Sequence, residues 1–174
     1  PEVNEYLKEE NNYTEKKMLG TKPLQKILFN EIKSRIKLTD ESLPYKDLRY
    51  EYWTKVTKEG NYSKKLRRKI GSDKIEVFWD GDLEAKGKKY FNTGDVSVSN
   101  NDDYLAYSTD EKGSEYFTIY VRRISDNKII GEPIYNTSGG ITWSYDDKYL
   151  FYSKLDEFHR PKKIYRHKLH TNQN

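Results

Sequence analysis

His159, His167 and His170 crowd the end of the 174-residue chain, and Ser138 lies upstream of them in NTSGG, Asn136 to Gly140. Serine and histidine are the materials of acyl transfer, in which an imidazole takes the hydroxyl proton and an acid holds the imidazole in place. A serine nucleophile is usually presented on a sharp strand–turn–helix elbow written G-x-S-x-G, with its hydroxyl beside oxyanion donors. Ser138 is followed by Gly139 and Gly140, but no helical pattern comes after them. None of the histidines has a serine and an acid spaced for a triad. These residues read as a turn serine and surface histidines, and no catalytic residue is expected in the chain. A metal centre fits no better, because the histidine spacing matches no zinc pattern, no carboxylate set converges on it, and the chain has no cysteine. No cofactor is expected.

The elements that carry these residues follow from composition and period. Hydrophobic residues are 34% of the chain and charged residues another 34%, yet 16 Tyr, 6 Phe and 3 Trp supply the bulky surface that a disordered chain lacks. The expectation is a folded chain with tyrosine-rich packing. Without cysteines there is no disulfide framework, and no apolar run approaches the length of a membrane span, so the reading is a reduced, cytoplasmic setting with no membrane contact. A net charge of +4, dispersed along the chain, does not demand a nucleic-acid partner.

Residues 2 to 38 repeat apolar positions at three- and four-residue steps, Val3, Tyr6 and Leu7 and then Leu24, Ile27, Leu28, Ile32 and Ile36. This predicts two amphipathic helices, separated at Gly20 and Thr21 and restarted at Pro23. The polar stretch TDESLP, Thr39 to Pro44, reads as the connection out of a helical segment spanning residues 1 to 44. After it the period becomes two, and Leu48 to Thr57, Tyr62 to Ile70 and Lys74 to Trp79 read as strands joined by the turns KEGN and GSD.

The strongest signal is a repeat. VSNNDDYLAYS, Val98 to Ser108, returns as WSYDDKYLFYS, Trp143 to Ser153, 45 positions later, and the register holds through Ile119 and Ile164, Tyr120 and Tyr165, and Ile124 and Leu169. A period of 40 to 45 residues holding several short strands is the mark of a propeller blade. Each DD sits in a tight turn between the innermost strand and the next. A plain meander sheet with two similar hairpins is the alternative. The fold class predicted is mainly β: a partial β-propeller over residues 45 to 174, with blades near 48–80, 96–134 and 141–174. Lys128 to Ile134 is expected as the fourth strand of the first copy. The second copy stops where its own fourth strand would begin, so a fragment of a longer protein is expected, with open strand edges through which it self-associates.

ENNYTEKKM, DESLPYKDLRYEYW, VSVSNNDDYLAYSTDEKGSEYFTIYVRR and NTSGGITWSYDDKYLFYSKLDEFHRPKKIYRHKL, taken in order, resemble the N-terminal part of the oligopeptidase B group in the prolyl oligopeptidase family of serine peptidases. That resemblance implies a cytosolic enzyme cutting short basic peptides after Arg or Lys. It implies a seven-bladed propeller, about two and a half blades of which are present, capping a C-terminal α/β-hydrolase domain that carries the triad beyond residue 174. The N-terminal helices would belong with the hydrolase side.

Strand parity puts NTSGG and KLDEFHRP, Lys154 to Pro161, on one face with TDEKGSEY, Thr109 to Tyr116, and the DD turns on the other. By the resemblance, the NTSGG face turns toward the catalytic domain. Ser138, Gly139, Gly140, Asp156, Glu157 and Arg160 are therefore the candidate cavity or interface residues, with Asp156, Glu157 and Arg160 placed to pair across the cavity. Asp110, Glu111 and Glu115 would favour cationic peptides by their field. A different class of function is also readable: KKLRRK, Lys64 to Lys69, and RPKKIYRHK, Arg160 to Lys168, alternate bases with aromatic or aliphatic residues, as a nucleic-acid-binding sheet face would. Acidic loops nearby oppose a uniform basic field.

Overall fold

The computed structural model describes residues 2–171. Contacts divide the chain after Leu38 into a helical unit and a β unit. Helix α1, Glu2–Met18, has Glu2 and Glu5 in its first turn and Lys16 and Lys17 in its last, each charge suiting the nearer pole of the helix dipole. A 3-10 turn, Leu19–Thr21, leads into α2, Lys22–Ser34, where Pro23 occupies the first turn and its missing N–H is not needed. Leu24, Ile27, Leu28 and Ile32 recur at helical spacing along α2, and all are exposed.

The β unit begins with β1 (Asp40–Glu41), β2 (Tyr45–Asp47), β3 (Tyr50–Val56), β4 (Lys64–Lys69) and β5 (Ile75–Asp80), all antiparallel, with both β1 and β2 paired to β3. The stretch expected as a plain connection thus contributes an edge strand, because Asp40 and Glu41 lie opposite Val56 and Lys55. A short helix follows, α3 (Gly81–Ala85), which the period analysis did not anticipate. Its start is set by Asp80, whose side chain accepts from the N–H groups of Asp82 and Leu83.

The second sheet holds β6 (Asn92–Val98), β7 (Tyr104–Asp110), β8 (Phe117–Arg123), β9 (Ile134–Thr137), β10 (Thr142–Trp143), β11 (Tyr149–Leu155) and β12 (Pro161–Lys168). Strands β6 to β9 run in chain order; β9 also meets β11 at Thr137 and Lys154, and β10 and β12 flank β11. The fourth strand of the first copy does not run from Lys128 to Ile134 as expected. A single bridge joins Arg122 to Ile129, the chain then breaks at Gly131 (φ 71) and Pro133, which has no N–H to donate, and pairing resumes only at Ile134. Asn136 and Thr137, expected in a loop, consequently belong to β9.

The repeat is visible bond by bond. Asp102 and Asp147 are both left-handed, at φ 62 and φ 55. Ser99 and Ser144 each accept the N–H of the strand residue that follows, Tyr104 and Tyr149, on their hydroxyls at 2.9 Å. Each third strand closes in the same way, Ile124 N–H to Asp103 C=O and Leu169 N–H to Lys148 C=O. A third, degenerate copy stands 54 positions upstream of the first: Leu48 takes the left-handed place of Asp102, and Ile70 N–H donates to Arg49 C=O as Ile124 does to Asp103.

Burial explains why the alternation is hard to see in β7, which is buried on both faces along most of its length. Leu105 and Tyr107 join Tyr52, Phe78, Trp79 and Phe91 in one core, whereas Ala106 on the opposite face joins Ile119, Val121, Ile134, Ile141, Leu150, Tyr152 and Leu169 in another. The first core locks the first blade to the second, and the second core locks the second to the third. In the first, the Trp79 and Tyr107 rings are 4.9 Å apart, and the Arg122 guanidinium lies over both. The chain is mainly β, a partial β-propeller preceded by a helical segment.

Candidate functional site

The loops after β7, β9 and β11 meet on one side of the second and third blades. The Tyr116 hydroxyl donates to the Asp156 carbonyl at 2.6 Å, and its ring lies 4.2 Å, centroid to centroid, from that of His159. Ser108 accepts from Asp95 N–H at 2.8 Å and donates to Gly139 C=O at 2.7 Å. The Ser138 and Ser153 hydroxyls share a bond of 2.7 Å, and Asp95 accepts the N–H of Ile141 at 3.1 Å. Gly139 is required here: at φ 90, any Cβ would also meet the Phe117 ring at 3.0 Å. Residues 138–141 are thereby fastened to β11, β7 and β6, and a Cβ added at Gly140 would meet nothing within 4 Å.

The carboxylates of this face act differently from the expectation. Asp110, only 2% exposed, accepts from the N–H groups of Lys112 and Gly113 on one oxygen and Glu115 on the other, at 2.7–3.1 Å. Burial alone would raise its pKa, but these amides outweigh burial and hold the carboxyl below its usual range. It shapes its own loop through these bonds. Asp156 likewise accepts from Phe158 N–H at 2.9 Å and Arg160 N–H at 3.0 Å, with Lys162 at 3.3 Å. The Arg160 amide is the main reason its pKa is lowered. Asp156 thus closes a turn on itself, and Arg160 enters that turn through its backbone. Glu157 and the Arg160 side chain are exposed, as is Glu115. Glu111 pairs with Lys88 at 2.9 Å.

None of the histidines meets Ser138. His159 packs at a tilt against Tyr116; His167 lies across from Leu150, half-buried, with its pKa pushed down by that burial; His170 sits 6.0 Å from the Tyr104 ring. The basic run in β4 is largely neutralised across the sheet, Lys64 by Asp80, Arg67 by Glu76 and Arg68 by Glu51. In β12 the cations are less balanced, since Lys163 faces Lys154 and Arg166 covers the Tyr149 ring. Ser108 and Ser153, which anchor the glycine loop, end the two copies of the repeat. Their shared place in it, 45 positions apart, was the available signal.

Successive antiparallel blades, each sealed to the next by its own core, define a β-propeller chain. Residues 1–174 match the family model described as prolyl oligopeptidase, N-terminal beta-propeller domain, and the chain belongs to that family. It is 30% identical over 171 residues to dipeptidyl aminopeptidase BI of Pseudoxanthomonas mexicana, covering 89% of this chain and 24% of that protein. It is 23% identical to Protease 2 of Moraxella lacunata, covering 97% and 26%. Among solved structures it is similar to oligopeptidase B from Leishmania major, with a TM-score of 0.85 and 30% identity over 99% of this chain and 25% of that one. Oligopeptidase B from Trypanosoma brucei, in a closed form with covalently bound antipain, gives 0.82 and 29% over the same shares. The chain spans about a quarter of the length of these relatives. Among the described residues, no helix is long and apolar enough to cross a membrane.

Proposed function

We propose that this chain is the propeller part of a cytoplasmic oligopeptidase B-type serine peptidase that cleaves short peptides after Arg or Lys. In this reading the propeller governs substrate access to an α/β-hydrolase domain carried by the rest of the polypeptide. The observation that carries it is the similarity to oligopeptidase B along nearly the whole chain. The bonds of Ser138 to Ser153 and of Gly139 to Ser108 support a structural role for this loop. The face bearing Ser138, Gly139, Gly140, Glu157 and Arg160 is assigned to the side turned toward the catalytic domain. Because Asp156 holds its own loop, Glu157 and the Arg160 side chain are the exposed charged groups of Lys154 to Pro161 left to meet substrate or the opposing domain.

The test has two arms. The 174-residue chain should neither hydrolyse arginyl or lysyl substrates nor react with a serine-directed phosphonate, whereas the longer polypeptide should do both. In the longer protein, Glu157→Ala with Arg160→Ala should change KM and kcat for long peptides more than for a small chromogenic substrate. Labelling of the short chain would overturn the reading. A loop variant indistinguishable from its parent at every substrate length would withdraw the assignment of that face.

A further inference from the structure

Two neighbouring cavities of about 420 and 430 Å³ open beside the second blade, and Thr109, Glu111 and Tyr120 line both. Thr109 is only 3% exposed, and its hydroxyl has no hydrogen-bond partner. Folded chains leave very few buried polar atoms in that condition, and a ligand group is one way to complete them. One lobe holds Glu84, Lys88 and Tyr107; the other is walled by Tyr116, Tyr120 and Tyr135, with exposed Lys112 at its rim. The stacked rings of Tyr107 and Tyr120, 5.4 Å apart, stand where the lobes join.

Two carboxylates stand in this trough, Glu84 paired with Arg122 and Glu111 paired with Lys88 through one oxygen. Burial, followed by the Glu84 carboxylate, pushes the Tyr107 phenol up to about 12; burial, followed by Glu111, also raises Tyr120. The chain already demonstrates the chemistry in the first lobe. Lys88 places its ammonium 2.9 Å from Glu111 and 4.7 Å from the centre of the Phe91 ring, a carboxylate and an aromatic face together. The second lobe offers the same carboxylate, three tyrosine rings and the unpartnered hydroxyl.

We propose that the lobe formed by Thr109, Glu111, Tyr116, Tyr120 and Tyr135 is a binding site for a guanidinium group, such as an arginyl side chain. Glu111 supplies the counter-charge, the tyrosine faces receive the planar cation, and the Thr109 hydroxyl accepts one of its N–H groups. The inference stands on these side chains and not on the peptidase reading, so either can fail alone.

The experiment is a titration of the 174-residue chain, followed by NMR on its tyrosine rings, with Nα-acetyl-arginine amide and with the isosteric, uncharged citrulline amide. The arginine probe should give saturable shifts at the Tyr116, Tyr120 and Tyr135 rings, and citrulline should bind about tenfold more weakly. Glu111→Gln should reduce arginine to the citrulline level. Lys88→Met, which frees Glu111 from its internal partner, should tighten arginine binding and guards against misreading a Glu111 variant that folds poorly. Thr109→Val should weaken binding while leaving the Tm unchanged or higher, since a methyl replaces an unsatisfied hydroxyl. Equal affinity for the two probes, no saturable shift, or arginine binding that survives Glu111→Gln would overturn the site. A lowered Tm in Thr109→Val would remove the hydroxyl from it.

Discussion

The Asp147 carboxylate holds the preceding blade through Asn100. One oxygen accepts both the backbone N–H and the side-chain amide of Asn100, at 2.8 and 2.7 Å, and the other accepts the N–H of Asn101 at 2.8 Å. Asp102 does the corresponding work one repeat earlier, accepting from the Tyr52 hydroxyl at 2.7 Å and from Arg49 at 2.8 Å. Burial and the bond to Asp102 raise the Tyr52 pKa far above its ordinary value. Asp147→Ala removes the acceptor of three bonds and should cost about 3 kcal/mol, whereas Asp147→Asn keeps one oxygen and tolerates the left-handed backbone, so it should cost about half. Urea unfolding with an unchanged m-value measures both; equal stability of all three proteins would refute the clamp.

Leu48 occupies the same turn position in the first blade at φ 45 and is 63% exposed. A branched aliphatic residue gains nothing there to offset the crowding of its Cβ. Leu48→Asn or Leu48→Gly should therefore raise stability by about 0.5–1 kcal/mol, read as a higher denaturation midpoint. A lower midpoint would mean that the leucine packs against something in solution.

Trp143 reaches the preceding blade, with its indole N–H donating to Ser97 C=O at 3.2 Å, and is partly buried. Trp143→Ala should cost about 2–3 kcal/mol, below the range for a fully enclosed tryptophan. Trp143→Phe, which keeps most of the ring contact, should cost about 1 kcal/mol. Thermal unfolding distinguishes the two, and an unchanged Tm in the alanine variant would show that the indole does not bridge the blades.

Acid should loosen the loop after β7. The folded-state pKa of Asp110 is lowered, so its contribution is complete above the unfolded value of about 4 and is lost as the pH falls through the folded one. Asp110→Asn should be less stable than the parent at neutral pH, and the gap should close below about pH 4. Tm measured against pH is the check; a constant gap would mean that the charge state of Asp110 does not matter.

Phe151, Ser153 and Ile164 share the face of β11 and β12 that points away from the second blade, and Ile164 is 81% exposed. We expect the 174-residue chain to associate through this face at high concentration. Light scattering should show a concentration-dependent mass that falls in Ile164→Lys. A monomer at every concentration would exclude it.

Much of the fold was legible in the sequence because two copies of one unit kept register, and matched residues such as Leu105 and Leu150 are both buried core positions. The blade near 48–80 was legible from its period, but its kinship with the repeat was not: Leu48 stands where aspartate would announce the turn, and only its backbone angle and the Ile70 to Arg49 bond reveal it. Strand β9 was misplaced because Gly131 and Pro133 interrupt pairing without changing the apolar character of the run. In the candidate site the loops were readable from strand parity, but the work of their carboxylates was not. Asp110 and Asp156 are written as exposed acidic loop residues, and only the geometry shows their oxygens spent on neighbouring amides.

The ties made by Asp102 and Asp147 all point backward along the chain, from a later turn to donors already passed: Arg49 and Tyr52 in one case, Asn100 and Asn101 in the other. A ribosome releases those donors first. Each newly synthesised turn thus arrives carrying the group that fastens it to a neighbour already able to fold, so the structure can grow in the order of translation without waiting for residues still inside the exit tunnel. An asparagine-to-aspartate exchange of roles between the two turns would reverse that polarity and make an early blade depend on a late one.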